Sequence, residues 1–188
     1  MEKIKSFQIT GMTISGFKCY QEPTELAFGN PTIITGGNGR GKTSVADAIA
    51  FAVTGLPFFG ERGIDRLHNE ENPDVFISMR FVDDTGKPHE LVRVRQSGKM
   101  YISYDGGPVR QLDLKDLFGD PDVFLSIFNP LYFIEELGNE GKNLLEMYLP
   151  ELPPEKVLEQ LPPDLALALK DENLLSPQVY LKNKRADI

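Results

Sequence analysis

The chain has 188 residues and a formal net charge of −8, from 20 basic and 28 acidic side chains, and 40% of it is hydrophobic. That length suits one domain with a short extension, and the composition excludes a disordered chain or a basic protein that coats nucleic acid, though not one that meets DNA through a local patch. One cysteine and two histidines exclude an internal disulfide and a Cys/His zinc site. No apolar run reaches the about 18 residues of a membrane span, and the charged N-terminus has no signal core, so no membrane partner and a cytoplasmic location are expected.

Residues 4–35 predict short strands. Phe7 and Ile9 alternate with Gln8 and Thr10, and Met12 and Ile14 with Thr13 and Ser15. Asn30-Pro31 signals a turn, and Thr32-Ile33-Ile34-Thr35 is a β-branched run expected to be a buried strand. Residues 42–54 predict a helix, since Val45, Ile49, Ala52 and Val53 share one helical face, with Gly55 just past its end and Pro57 as a stop. Residues 75–105 predict an antiparallel meander: Val75, Ile77, Met79 and Phe81 share a face, and Asp83–Gly86 and Ser97-Gly98 are turns. Residues 112–149 read as mostly helical, broken near Asn129-Pro130. Six of the 14 prolines (Pro150, Pro153, Pro154, Pro162, Pro163 and Pro177) follow, which predicts short helices opening on proline. The last of these would begin at Ser176-Pro177 and run to the final residue with no C-cap, as expected of a fragment of a longer protein.

The strongest motif is Gly36-Gly37-Asn38-Gly39-Arg40-Gly41-Lys42-Thr43, which matches the phosphate-binding P-loop pattern G-x-x-x-x-G-K-[ST]. Its glycines allow positive φ, so that backbone N–H groups turn inward as an anion nest. Lys42 is expected to reach the β- and γ-phosphates of a nucleotide, the Thr43 hydroxyl to hold Mg²⁺, and Ser44 to donate to the α-phosphate. The helix that opens here adds about half a positive charge facing the phosphates.

A wider pattern surrounds this motif. Gly16-Phe17-Lys18-Cys19-Tyr20, Leu26-Ala27-Phe28, the run from Ile33 through Ser44, Asp47-Ala48-Ile49, and Phe51-Ala52 with Gly55 together resemble the N-terminal head of SMC/SbcC/RecF-type ATPases. Gly16 stands where that family often has Asn. The resemblance implies an α/β P-loop NTPase: the N-terminal lobe of an ABC-type ATPase head, with a mixed sheet, an antiparallel meander and short helices after it. Residues 1–149 would form that lobe, and residues 150–188 a Pro-rich helical extension leading to a coiled coil absent from the chain. Such heads are completed by a C-terminal half, which carries the signature motif and the Walker B carboxylates. Two heads sandwich two ATP molecules, act on DNA, and in SbcC-type complexes work with a nuclease subunit of the SbcD type. The implied function is ATP binding in DNA repair, recombination or chromosome maintenance, with hydrolysis only in the assembled head. Two alternatives are a self-contained P-loop NTPase or kinase and a nucleotide-gated interaction module.

The remaining candidates follow from this frame. Lys18 lies in the turn that the family places near the nucleotide, so a phosphate or base contact is implied. Phe17 and Tyr20 read as core packing. Asn129 stands where the family has a metal-contacting Gln, so it is a candidate Mg²⁺ ligand beside the plainer reading of Asn-Pro as a turn. Phe81-Val82-Asp83-Asp84 is a poor Walker B, because Ser78 and Arg80 interrupt the strand and Asp83 opens a turn signal. Arg93 and Arg95 share a strand face and, with Arg80, Lys87, Lys99 and Arg110, are either a DNA-backbone patch or a solvated sheet face. Glu135-Glu136, Asp164 and Asp171-Glu172 read as solvated helix faces.

Overall fold

A computed structural model of the chain describes residues 3–61, 63–149 and 154–169. The chain divides into two compact units, Met1–Leu144 and Leu145–Ile188. In the first, strands β1 (Phe7–Ser15), β2 (Thr24–Ala27), β3 (Val75–Asp83), β4 (Pro88–Gln96), β5 (Lys99–Tyr104) and β6 (Gly107–Pro108) form one sheet in the order β2-β1-β3-β4-β5-β6. The expected meander is β3-β4-β5. Its first turn is built by Asp83, whose Oδ1 accepts from the N–H groups of Thr85 and Lys87 and from the Thr85 hydroxyl. These bonds hold the Asp83 carboxyl well below the usual carboxylate range, the Thr85 hydroxyl contributing most. That carboxylate is a turn-former, as its poor fit to a Walker B suggested.

The other Asp83 oxygen faces His89. The buried ring sits between two carboxylates, Nε2 at 3.1 Å from Asp83 Oδ2 and Nδ1 at 2.7 Å from Asp105 Oδ2, and stacks on Tyr104 at 5.2 Å. Burial pushes the Tyr104 phenol up to about 12.

Helix α1 (Lys42–Thr54) follows the predicted bounds and ends at left-handed Gly55, whose N–H bonds the Phe51 carbonyl. From Asp47 to Thr54 it is buried all round, because it has core on two sides. Val45, Ala48, Ile49, Phe51, Ala52 and Val53 pack with Met12, Ile14, Ile77 and Met79 of the sheet, while Ala50 packs with Leu125 and Tyr132 of the helices beyond. Those helices are α2 (Gln111–Phe118), α3 (Pro121–Phe128) and a π-helical turn over Tyr132–Glu136; α4 (Asn139–Tyr148) comes next. Proline at the first position and an Asp120 side chain accepting the Asp122 N–H start α3. In the second unit, α5 (Pro154–Glu159) and α6 (Pro163–Leu169) open on proline as expected. The helix expected from Ser176-Pro177 and its run to the last residue lie outside the described residues, as do Asp171-Glu172. Among the described residues no helix is long and apolar enough to cross a membrane.

One expected element is missing. Residues 32–37 form no strand, and Ile33 and Ile34 are 82% and 46% exposed. Every pairing among the described strands is antiparallel, so the expected mixed sheet is not seen. The physical reason is a missing ladder: a β-branched run becomes a strand only where another strand satisfies its N–H and C=O groups, and the described strands leave none beside it.

Candidate nucleotide-binding site

The predicted P-loop hangs on the N-terminus of α1. Gly41, the residue before the helix, has φ 84°, and a Cβ there would lie 2.7 Å from Cys19 Sγ and 3.1 Å from Tyr20 Oη. Only glycine meets both demands. Upstream, Gly39 has φ 77° and the Arg40 N–H donates to the Gly37 carbonyl at 3.4 Å, which closes the turn over Asn38. No side chain caps α1 and no acidic residue sits in its first turn. The first N–H groups of a helix have no intrahelical acceptor, so these are left for an external anion.

Beside the loop is a cavity of about 480 Å³ lined by Lys18, Cys19, Asn38, Gly39, Gly41, Lys42, Thr43 and Ser44. Among the described residues no carboxylate lines it, and two lysines do. Lys42 Nζ donates to the Gly36 and Gly37 carbonyls at 2.8 Å each, folded back on its own loop. Lys18 sits in a left-handed turn, φ 49°, with its N–H on the Leu67 carbonyl at 2.8 Å and its carbonyl accepting Asn69 Nδ2 at 2.6 Å. Its ammonium pairs with Asp47 of α1. Cys19 Sγ is 3.7 Å from the Ser44 hydroxyl. Phe17 is fully buried. The Tyr20 hydroxyl donates to the Gly41 carbonyl at 3.4 Å, and burial, with Cys19 beside it, raises its phenol. An uncapped helix N-terminus, two ammonium groups and glycine backbone fit a polyphosphate. The residues that would hold it are Gly36 through Ser44, with Lys18 at the mouth.

Two expected site residues lie elsewhere. Asn129 is 2% exposed and both ends of its amide are engaged: Nδ2 donates to the Phe58 carbonyl at 3.1 Å, and Oδ1 accepts the Leu131 N–H at 3.2 Å. It fastens a loop rather than a metal. Arg93 is also 2% exposed, buried against the C-terminus of α1 and 5.2 Å from the Phe51 ring centroid. Arg95 pairs with Asp65 at 3.0 Å, and Arg80 pairs with Glu25 on the opposite sheet face. The arginines therefore form no common patch for a DNA backbone. The part Asp47 plays has one signal in the sequence, a lone acidic residue inside apolar α1.

Residues 12–143, more than half of the chain, match the family described as AAA domain. Over 145 residues the chain is 29% identical to uncharacterized protein 094L of invertebrate iridescent virus 3, covering 72% of this chain and 16% of that protein. Over 142 residues it is 25% identical to the chromosome partition protein Smc of Aquifex aeolicus, covering 68% of this chain and 12% of Smc. The chain thus spans less than a fifth of the length of these relatives. Among solved structures, the recombination mediator RecF with ATP aligns with a TM-score of 0.53 at 16% identity, over 58% of this chain and 30% of RecF. An Smc head bound to the C-terminal winged-helix domain of ScpA aligns with a TM-score of 0.51 at 22% identity, over 58% of this chain and 39% of that one. The chain belongs to the AAA domain family and has the fold of the N-terminal region of an SMC/RecF-type ATPase head.

Proposed function

We propose that this chain is the ATP-binding N-terminal half of an SMC/SbcC-like ATPase head that serves DNA repair, recombination or chromosome maintenance. The observation that carries the reading is the cradle at α1: left-handed Gly39 and Gly41, an uncapped helix N-terminus, and Lys42 at its edge. In this reading the backbone of residues 36–41 wraps the phosphates, Lys42 leaves the Gly36 and Gly37 carbonyls for the β- and γ-oxygens, and Ser44 donates to the α-phosphate. Thr43 would hold Mg²⁺, which when bound neutralises phosphate charge and polarises the γ-phosphoryl group.

Hydrolysis needs more than these residues. Among the described residues no carboxylate stands at the cavity to orient an attacking water. The exposed Ile33-Ile34 segment supports a head completed by a C-terminal half, whose strands would give residues 32–35 their ladder. The match to a small part of each relative supports the same view. A second head, DNA and an SbcD-type nuclease are the further partners of this reading.

Calorimetric titration of Mg·ATP into the chain, beside Lys42→Ala, tests it. Binding that the alanine weakens at least about tenfold, a loss of about 1.4 kcal/mol, is expected. Turnover by the chain alone is expected far below 1 s⁻¹, against about 1–10³ s⁻¹ for typical enzymes. No binding by a folded chain would overturn the nucleotide site, and Lys42-dependent turnover near about 1 s⁻¹ would overturn the half-head.

A further inference from the structure

Two buried polar side chains meet at the backbone of one residue. Asp47 is 3% exposed in the middle of α1. Its Oδ2 holds the Lys18 ammonium at the mouth of the cavity, and its Oδ1 accepts the Phe58 N–H at 2.9 Å. The carbonyl of that same residue, Phe58, accepts Asn129 Nδ2 at 3.1 Å. Asn129 is the C-cap of α3, and the Tyr132 N–H bonds its carbonyl at 2.9 Å as the π-helical turn begins. Tyr132 then closes over the loop: its ring lies where a Cβ on Gly60 would be, 2.1 Å away, and its hydroxyl donates to Asp122 at 2.8 Å. An unbroken set of polar contacts therefore runs from the lip of the cavity to the helices on the far side of α1.

The charges give this set a direction. A buried carboxylate needs its cation, and removing one partner of such a pair costs more than the pair contributes. Lys18 keeps its backbone fixed through Leu67 and Asn69, which holds its head within reach of both Asp47 and the cavity beside it. A phosphate oxygen in that cavity competes with Asp47 for the three ammonium donors. Each share that Lys18 gives up changes the charge that Asp47 presents to the Phe58 N–H.

We propose that Asp47 is a positioning residue: it presents Lys18 to a phosphate in the cavity and carries the occupancy of that cavity, through the backbone of Phe58, to Asn129 and the π-helical turn. The inference rests on the nucleotide-site reading and adds to it a route by which bound nucleotide is felt by the helices. Coupling of this kind needs a two-position element, a part this proposal gives to Lys18.

Amide hydrogen exchange on the whole chain, with and without Mg·ATP, tests it on peptides covering 36–45, 56–60 and 122–136. The wild type is expected to change exchange by at least about threefold in all three regions when nucleotide binds. At Mg·ATP concentrations that saturate each variant, Asp47→Asn is expected to respond at 36–45 and not at 122–136; Lys18→Met is expected to need more nucleotide to saturate and likewise to lose the response at 122–136, and Lys18→Arg to restore it. A merely structural Asp47 would raise exchange equally with and without nucleotide, leaving the difference intact, and that result would overturn the proposal. So would a wild-type response confined to 36–45. A wild type with no response even at 36–45 would instead sink the nucleotide site, and the proposal with it. If Asp47→Asn fails to fold, the two Lys18 variants decide.

Discussion

Arg93 grips the carbonyl of Ala52 with two nitrogens, Nε at 3.2 Å and Nη2 at 3.0 Å, from a strand 41 residues further along the chain. The same Nη2 meets Gln111 Oε1 at 2.6 Å, and Gln111 Nε2 donates to the Val53 carbonyl at 3.1 Å. Together the two side chains satisfy carbonyls that the end of α1 would otherwise bury unpaired. The guanidinium carries its charge where the helix is partly negative, which offsets its desolvation. Burial still lowers its pKa, to about 10.

Arg93→Ala is expected to destabilise the chain by about 2–4 kcal/mol, because it leaves a cavity and two unsatisfied polar groups. Arg93→Met keeps more of the volume and is expected to cost less. Urea unfolding monitored by far-UV circular dichroism measures both; a change under about 0.5 kcal/mol, typical of surface sites, would show that the arginine is not the cap described.

Asn129→Ala removes two bonds from a buried site and is expected to cost about 1–3 kcal/mol. Asn129→Asp should be worse, since a carboxylate would face the Phe58 carbonyl with no donor. The order of the urea midpoints, wild type above alanine above aspartate, checks this.

Acid stability is set partly by Asp83, Asp105 and Asp120. Each is depressed in the folded chain: Asp83 chiefly by the Thr85 hydroxyl, Asp120 chiefly by the Lys115 ammonium, and Asp105 because the Glu90 N–H and His89 outweigh its burial. A depressed carboxylate adds stability that is fully present above its unfolded value of about 3.9 and is lost as pH falls through the folded value. Thermal midpoints should therefore hold down to about pH 4 and fall steeply below it. Asp83→Asn is expected to lower the midpoint at neutral pH and to flatten the acid limb. An unchanged slope below pH 4 would remove Asp83 from this account.

Ile33→Thr with Ile34→Thr should leave the stability of the isolated chain within about 0.5 kcal/mol, because these side chains touch little of the core. It should also raise solubility, since an unpaired β-branched run with no charge is an aggregation hazard. Light scattering against concentration reads the second effect. A large loss of stability would mean that the run is packed after all.

What could be read from the sequence was what is local. The P-loop lies in eight consecutive residues, α1 announces itself by spacing, and Asp83–Gly86 is a turn by its own chemistry. Features set by distant partners could not be read in this way. Arg93 looked solvated because alternation names its face but not the helix end lying across it. Asn129 looked like a ligand or a turn because its partner, Phe58, is 71 residues away. Thr32–Thr35 has every propensity of a strand and lacks only a neighbour. Asp47 and Lys18 are 29 residues apart, and only the fold makes them a pair.

The strand order also has a consequence for how the chain folds. β3, β4 and β5 are joined by short turns, while β1 reaches β3 only by pairing Phe7 with Asp83 and Ile14 with Ile77 across the intervening chain. Long loops close slowly, so the meander is expected to form first and β1 to dock on it afterwards. Lys18, the P-loop and α1 all lie inside that late-closing loop. Mutations in β4 and β5 should accordingly slow refolding, whereas those in β1 should mainly speed unfolding, and the cavity should exist only in the last state formed.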